Sequence, residues 1–192
     1  MQNKLKYFLF LIFTIHNSIY VLSENKKNDF QQAFVTISSM LVKEDSINFK
    51  KAVFITENVY LDNKLSNESY NDVIHFYSSI CKGVAGSDAI SYIESDKEAA
   101  TMQCAVFIFF TDRVPVLVKN NSAIHPPFSY NYKDFAGQKD WTNMFITKLI
   151  QTYIGNCHSL PYLYKIIMDE LGYESHLALA PNHIYIKANN KK

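Results

Sequence analysis

Apolar residues recur at helical spacing through the first half of the chain. After a polar, flexible stretch from Glu24 to Asn28, Phe30, Phe34, Ile37 and Leu41 predict a helix over Phe30 to Val42. Phe49, Val53, Phe54 and Val59 predict a second over Ile47 to Tyr60, and Asp62 to Ser69 is a polar break. Val73, Ile74, Tyr77 and Ile80 form an i, i+3, i+4, i+7 stripe over Tyr70 to Cys81, with Gly83 and Gly86 as its stop. Asp88 to Asp112 reads as helix. Within it Ala105 to Phe110 is an unbroken apolar run, and periodicity alone does not separate helix from buried strand there.

The pattern changes beyond Asp112. Arg113 to Gly137 carries Pro115, Pro126, Pro127, Asn120 and Asn121 and reads as a long connector with a functional or covering role. Asp140 to Gln151 is predicted helical, with Met144, Phe145 and Leu149 on one side, and Tyr153 to Asn156 is a turn. Ser159 to Leu171 gives the clearest helix. Its stripe is Leu160, Leu163, Tyr164, Ile167 and Leu171, Pro161 is tolerated in the first turn, and Gly172 stands at the C′ position. Ser175 to Ala180 and His183 to Lys187 read as two strands around Pro181-Asn182. The expected fold is α+β. It is mainly helical to about residue 112, has a connector over 113–137, and ends in a core over 138–192. In that core a helix bearing a cysteine at its N-terminus packs on a small antiparallel sheet.

Composition narrows the function classes. Hydrophobic residues at 48% and charged residues at 19% suit a packed core rather than disorder. A net charge of +1 gives no electrostatic basis for nucleic-acid binding. Lys4 and Lys6, the apolar run Tyr7 to Ile15 and the small residue ending Val21-Leu22-Ser23 resemble a secretory signal over 1–23, leaving 24–192 as one domain. The run is short of the roughly 20 apolar residues of a membrane span. The expected location is exported, periplasmic or extracellular, with membrane contact only through an uncleaved signal. The cysteines are Cys81, Cys104 and Cys157, and an odd count in an exported chain suggests one free thiol. Cys81 and Cys104 could pair, but the apolar run Met102 to Phe110 favours Cys104 as a buried core thiol.

The chemistry centres on Gly155-Asn156-Cys157-His158-Ser159-Leu160. A cysteine reacts as its thiolate, with an ordinary pKa of about 8.5, and a helix N-terminus favours that anion. The backbone N–H of Cys157 and the neighbouring Gly155 and Asn156 are candidate oxyanion or site-lining groups. A nucleophile of this kind needs a base. His158 is adjacent, and neighbours on a helix do not face each other. His183 is the preferred base, sharing a strand face with Tyr185 and Lys187 while Ile184 and Ile186 share the other. A zinc site from Cys157, His158, His176 and His183 lacks the usual ligand spacing, so no metal or cofactor is expected. Trp141 either lines the site or anchors the core, the latter being the commoner role of a buried aromatic.

These segments resemble the transglutaminase-like superfamily in its bacterial exported form. The match runs over Gly155 to Leu160, the helix closing at Leu171-Gly172, Pro181-Asn182-His183, and a lead-in from Asp134 through Trp141 to Leu149. It covers roughly Tyr132 to Ala188. The resemblance implies a papain-like core with Cys157 as nucleophile and His183 as base. It implies attack on peptide amide bonds through a thioester, by a hydrolase or acyltransferase, and it also admits non-catalytic binding modules. The implied substrate is a peptide or protein. The family's third residue, an Asp or Asn that orients the histidine, lies beyond the histidine strand, and the chain ends at Lys192 first. Asn189 and Asn190 are about 20 Å along a strand from His183 and out of reach. The expectation is a shortened chain in which either an upstream residue orients the histidine or the site lacks an orienting group.

Overall fold

In a computed structural model the described residues are 24–42, 47–87, 90–91, 95–118 and 121–188. The proposed signal over 1–23, and Asn189 and Asn190, lie outside them. Where one domain is expected over 24–192, the chain divides into two compact units, Met1–Leu65 and Ser66–Lys192. In the first, helix α1 covers residues 24–42 and α2 is Phe49–Tyr60. Glu24 to Asn28, expected to be flexible, is already helical. Lys26 and Asp29 of α1 reach the turn after α2, bonding Asp62 at 2.8 Å and Asn63 at 2.9 Å.

The second unit holds α3 (Asn67–Ala85), capped by the Ser66 side chain, and α4 (Lys97–Thr111). The ambiguous apolar run lies in α4. Its buried residues are Met102, Ala105, Val106 and Phe109, a helical period, while Phe107 is exposed. Cys104 shares that exposed side, so it is not the buried core thiol expected of it. Cys81 is buried, and all three cysteines are free thiols.

The expected connector over 113–137 contains a hairpin. Strands β1 (Val114–Val118) and β2 (Asn121–His125) pair antiparallel, with Val114 opposite His125 and Val118 opposite Asn121. Pro115 signals against a strand, but a two-stranded sheet is all edge, so its missing N–H is tolerated. His125 enters an aromatic core and is 5% exposed. Its ring centroid lies 4.2 Å from that of Phe109 and 5.3 Å from those of Tyr77, Phe128 and Tyr153. Neither ring nitrogen has a hydrogen-bond partner among the described residues.

The single helix expected over Asp140 to Gln151 is broken. A 3-10 turn, Trp141–Met144, ends at extended Phe145, and α5 follows as Ile146–Thr152. Trp141 is 54% exposed, so it is not a core anchor. The chain leaves α5 through Tyr153 in the left-handed region and enters β4 (Ile154–Gly155), which pairs parallel with β3 (Ser129–Tyr130). Helix α6 is Ser159–Glu170, with Leu163, Ile166, Ile167 and Met168 buried, and it closes at Gly172 with φ +80°. Strands β5 (His176–Ala180) and β6 (His183–Lys187) form an antiparallel pair as expected, with Ala180 opposite His183. Among the described residues the fold is α+β, helices with three two-stranded sheets.

Candidate functional site

The entry to α6 is fixed by Asn156, which is fully buried. Its Oδ1 accepts from the backbone N–H of His158 at 2.9 Å and of Ser159 at 3.2 Å, capping the helix. Its Nδ2 donates to the Phe135 carbonyl at 3.0 Å and to Met144 Sδ at 3.3 Å, and its backbone N–H donates to Ser159 Oγ at 3.0 Å. Asn156 touches the cavity described below, but these bonds engage its donors. The expectation that it supplies an oxyanion hydrogen bond is therefore corrected.

Gly155 is corrected as well. A Cβ there would sit 2.5 Å from Ser159 Oγ and 2.9 Å from Leu149 Cδ1, so glycine lets β4 lie against the start of α6 and does not admit substrate. Trp141, the third proposed lining residue, does not line the cavity.

Held this way, Cys157 lies in the turn ahead of α6 and is 7% exposed. Its Sγ is 3.6 Å from Nδ1 of His158. The expectation that adjacent residues cannot face each other fails because this pair precedes the regular helix. Burial, and then the neighbouring His183, push the His158 pKa below the ordinary histidine value, so its neutral, proton-accepting form prevails near pH 7. His183 itself is exposed on β6.

Cys157 and His183 line one cavity of about 410 Å³, with Tyr130 on its wall. The parallel pairing of β3 with β4 carries Tyr130 there, reinforced by the Asn131 N–H donating to the Gly155 carbonyl at 2.7 Å. Burial, and then the Cys157 thiol, raise the Tyr130 phenol pKa, while the Cys157 backbone N–H acts in the opposite sense. Burial and then Cys157 also raise the Tyr162 pKa.

Compared with known proteins, the chain matches no family model, no curated protein and no solved structure. The site therefore stands on its own geometry. Among the described residues no group of three His, Cys, Asp or Glu side chains could hold a metal ion. No described helix is long and apolar enough to cross a membrane.

The sequence reading missed Tyr130 and the aromatic wall of Phe110, Phe128 and Tyr164. The Phe110 ring is tilted against those of Phe128 and Tyr164, at centroid distances of 4.9 Å and 5.6 Å. The 15% aromatic content was the available signal, but it carries no position. Tyr130 comes to Cys157 through a pairing of two-residue strands, too short to leave a pattern.

Proposed function

We propose that the protein is a cysteine-dependent acyl-transfer enzyme that attacks peptide amide bonds through Cys157 and carries the acyl group as a thioester. One observation carries the reading. The Cys157 thiol lies 3.6 Å from an imidazole nitrogen and shares a cavity with a second histidine. Neutral His158 takes the thiol proton as sulfur attacks the carbonyl carbon. The carbon–nitrogen bond then breaks and the amine leaves with the proton that His158 took from the thiol, while His183 lines the same cavity. Water or another amine releases the acyl group and restores the thiol.

The proposed architecture is transglutaminase-like, supported by a cysteine at a helix entry followed by an antiparallel pair that bears a histidine. Export is proposed from the residues over 1–23 alone.

Iodoacetamide labelling at pH 6, followed by peptide mapping, tests the thiol. Exposed Cys104 is an internal reference. Buried Cys81, its pKa pushed up to about 12 by desolvation, is the unreactive control. Cys157 is expected to label faster than Cys104, and His158→Gln to remove the difference. A Cys157 no faster than Cys104 would end the activated-thiol reading.

A second reading, a non-catalytic binding module, is favoured by the burial of the Cys157 side chain, which is 7% exposed. Under it Cys157→Ala keeps ligand binding, and the wild type forms no thioester.

A further inference from the structure

We infer that the cavity beside Cys157 takes an apolar acyl group of about a dozen non-hydrogen atoms, an inference that rests on Cys157 as the acyl-accepting thiol. The volume sets the size. About 410 Å³, at roughly 30 Å³ for a water-sized group, holds that many atoms.

The lining sets the chemistry. Among the described residues no Asp, Glu, Lys or Arg lines the cavity. Half of its polar side chains are engaged with the protein's own main chain. Tyr164 Oη donates to the Gln103 carbonyl at 2.9 Å, Thr111 Oγ1 to the Phe107 carbonyl at 3.0 Å, and Ser129 Oγ to the Tyr153 carbonyl at 3.3 Å. Asn156 is engaged in capping α6. What these groups leave facing the space is carbon, chiefly Phe110, Phe128, Leu160, Ile184 and Ile186. A carboxamide or charged side chain placed there would give up hydration with little to replace it. An apolar chain gains by leaving water. Polar chemistry is confined to Cys157, His183 and the tyrosines Tyr130 and Tyr185. That division suits a carbonyl at the thiol and a hydrocarbon tail in the cavity.

The test uses the full chain and p-nitrophenyl esters of acetate, butyrate, hexanoate and octanoate. In each, the Cys157 sulfur bonds the acyl carbon as the ester carbon–oxygen bond breaks. Nitrophenol leaves with the thiol proton, relayed through histidine or solvent, and water then cleaves the thioester to carboxylic acid and thiol. A fully buried methylene is worth roughly fourfold in kcat/KM. The rate lost on Cys157→Ala is expected to rise at least about tenfold from acetyl to hexanoyl, allowing for partial burial. Ile184→Trp, which fills the cavity, is expected to lower the hexanoyl-to-acetyl ratio. A Cys157-dependent rate indifferent to chain length would overturn the inference and leave the acyl-transfer reading standing. Calorimetric binding of octanamide but not acetamide to Cys157→Ala, with no thioester in the wild type, would uphold an apolar cavity and remove the acyl-transfer reading. Failure of octanamide to bind, together with flat ester rates, would overturn the cavity assignment.

Discussion

Asn156 decides whether the reactive turn exists. It joins three segments: its carboxamide caps α6, holds the Phe135 carbonyl and touches Met144. From sequence it looked like a contributor to catalysis because it precedes the cysteine. The physical demand on it is structural, since a helix entry next to a buried turn must satisfy its first amides. Asn156→Ala removes the cap and strands the Phe135 carbonyl. It is expected to lower stability by about 1–2 kcal/mol, the effect of a lost cap. Urea unfolding checks this, and a change below about 0.5 kcal/mol, the level of an ordinary surface substitution, would contradict it.

The elements differ in how openly the sequence announces them. Helix α6 and the β5–β6 pair were legible because Leu163 and Ile167 repeat at helical spacing, Gly172 closes the helix, and Pro181-Asn182 sits between two short apolar runs. The dyad candidates Cys157 and His183 were found for the same reason. The β1–β2 hairpin was hidden, because its exposed residues do not alternate with buried ones and Pro115 argues against a strand. That hairpin is anchored by the buried pair Val114 and His125, and the histidine makes the fold sensitive to pH. Burial among Tyr77, Phe109, Phe128 and Tyr153 lowers the His125 pKa from 6.5 to about 4. The unfolded chain therefore binds a proton near pH 6.5 that the folded chain refuses until about pH 4. Stability from this group is complete above pH 6.5 and falls as pH drops through that window. The loss is roughly 2 kcal/mol by pH 5, at 1.36 kcal/mol per pKa unit. Urea midpoints at pH 7 and pH 5 measure it. His125→Phe should flatten that part of the dependence, and an unchanged pH profile in the variant would exclude His125 as its source.

At the scale of the whole molecule, the chemistry belongs to one of the two compact units. The cavity wall, Cys157, His158, His183 and the aromatic cluster around His125 all lie within Ser66–Lys192. Their assembly draws on contacts far apart in sequence inside that unit. Tyr164 bonds Gln103, Phe128 meets Phe110, Asn131 bonds Gly155, and His75 pairs with Glu170 at 2.7 Å. Such contacts explain why periodicity located the cysteine and histidine but not the wall between them, which draws on α4, β3, α6 and β6 and on Phe128 in a loop. A unit of 127 residues, 192 less the 65 that precede it, is of ordinary domain size and holds a continuous apolar core from Ile74 to Ile167. A protein comprising residues 66–192 alone is therefore expected to unfold cooperatively in urea and to keep the Cys157 labelling rate within about threefold of the full chain, a difference of under 1 kcal/mol. Cooperative folding with labelling reduced to the rate of a denatured thiol would mean that the first unit takes part in forming the reactive turn.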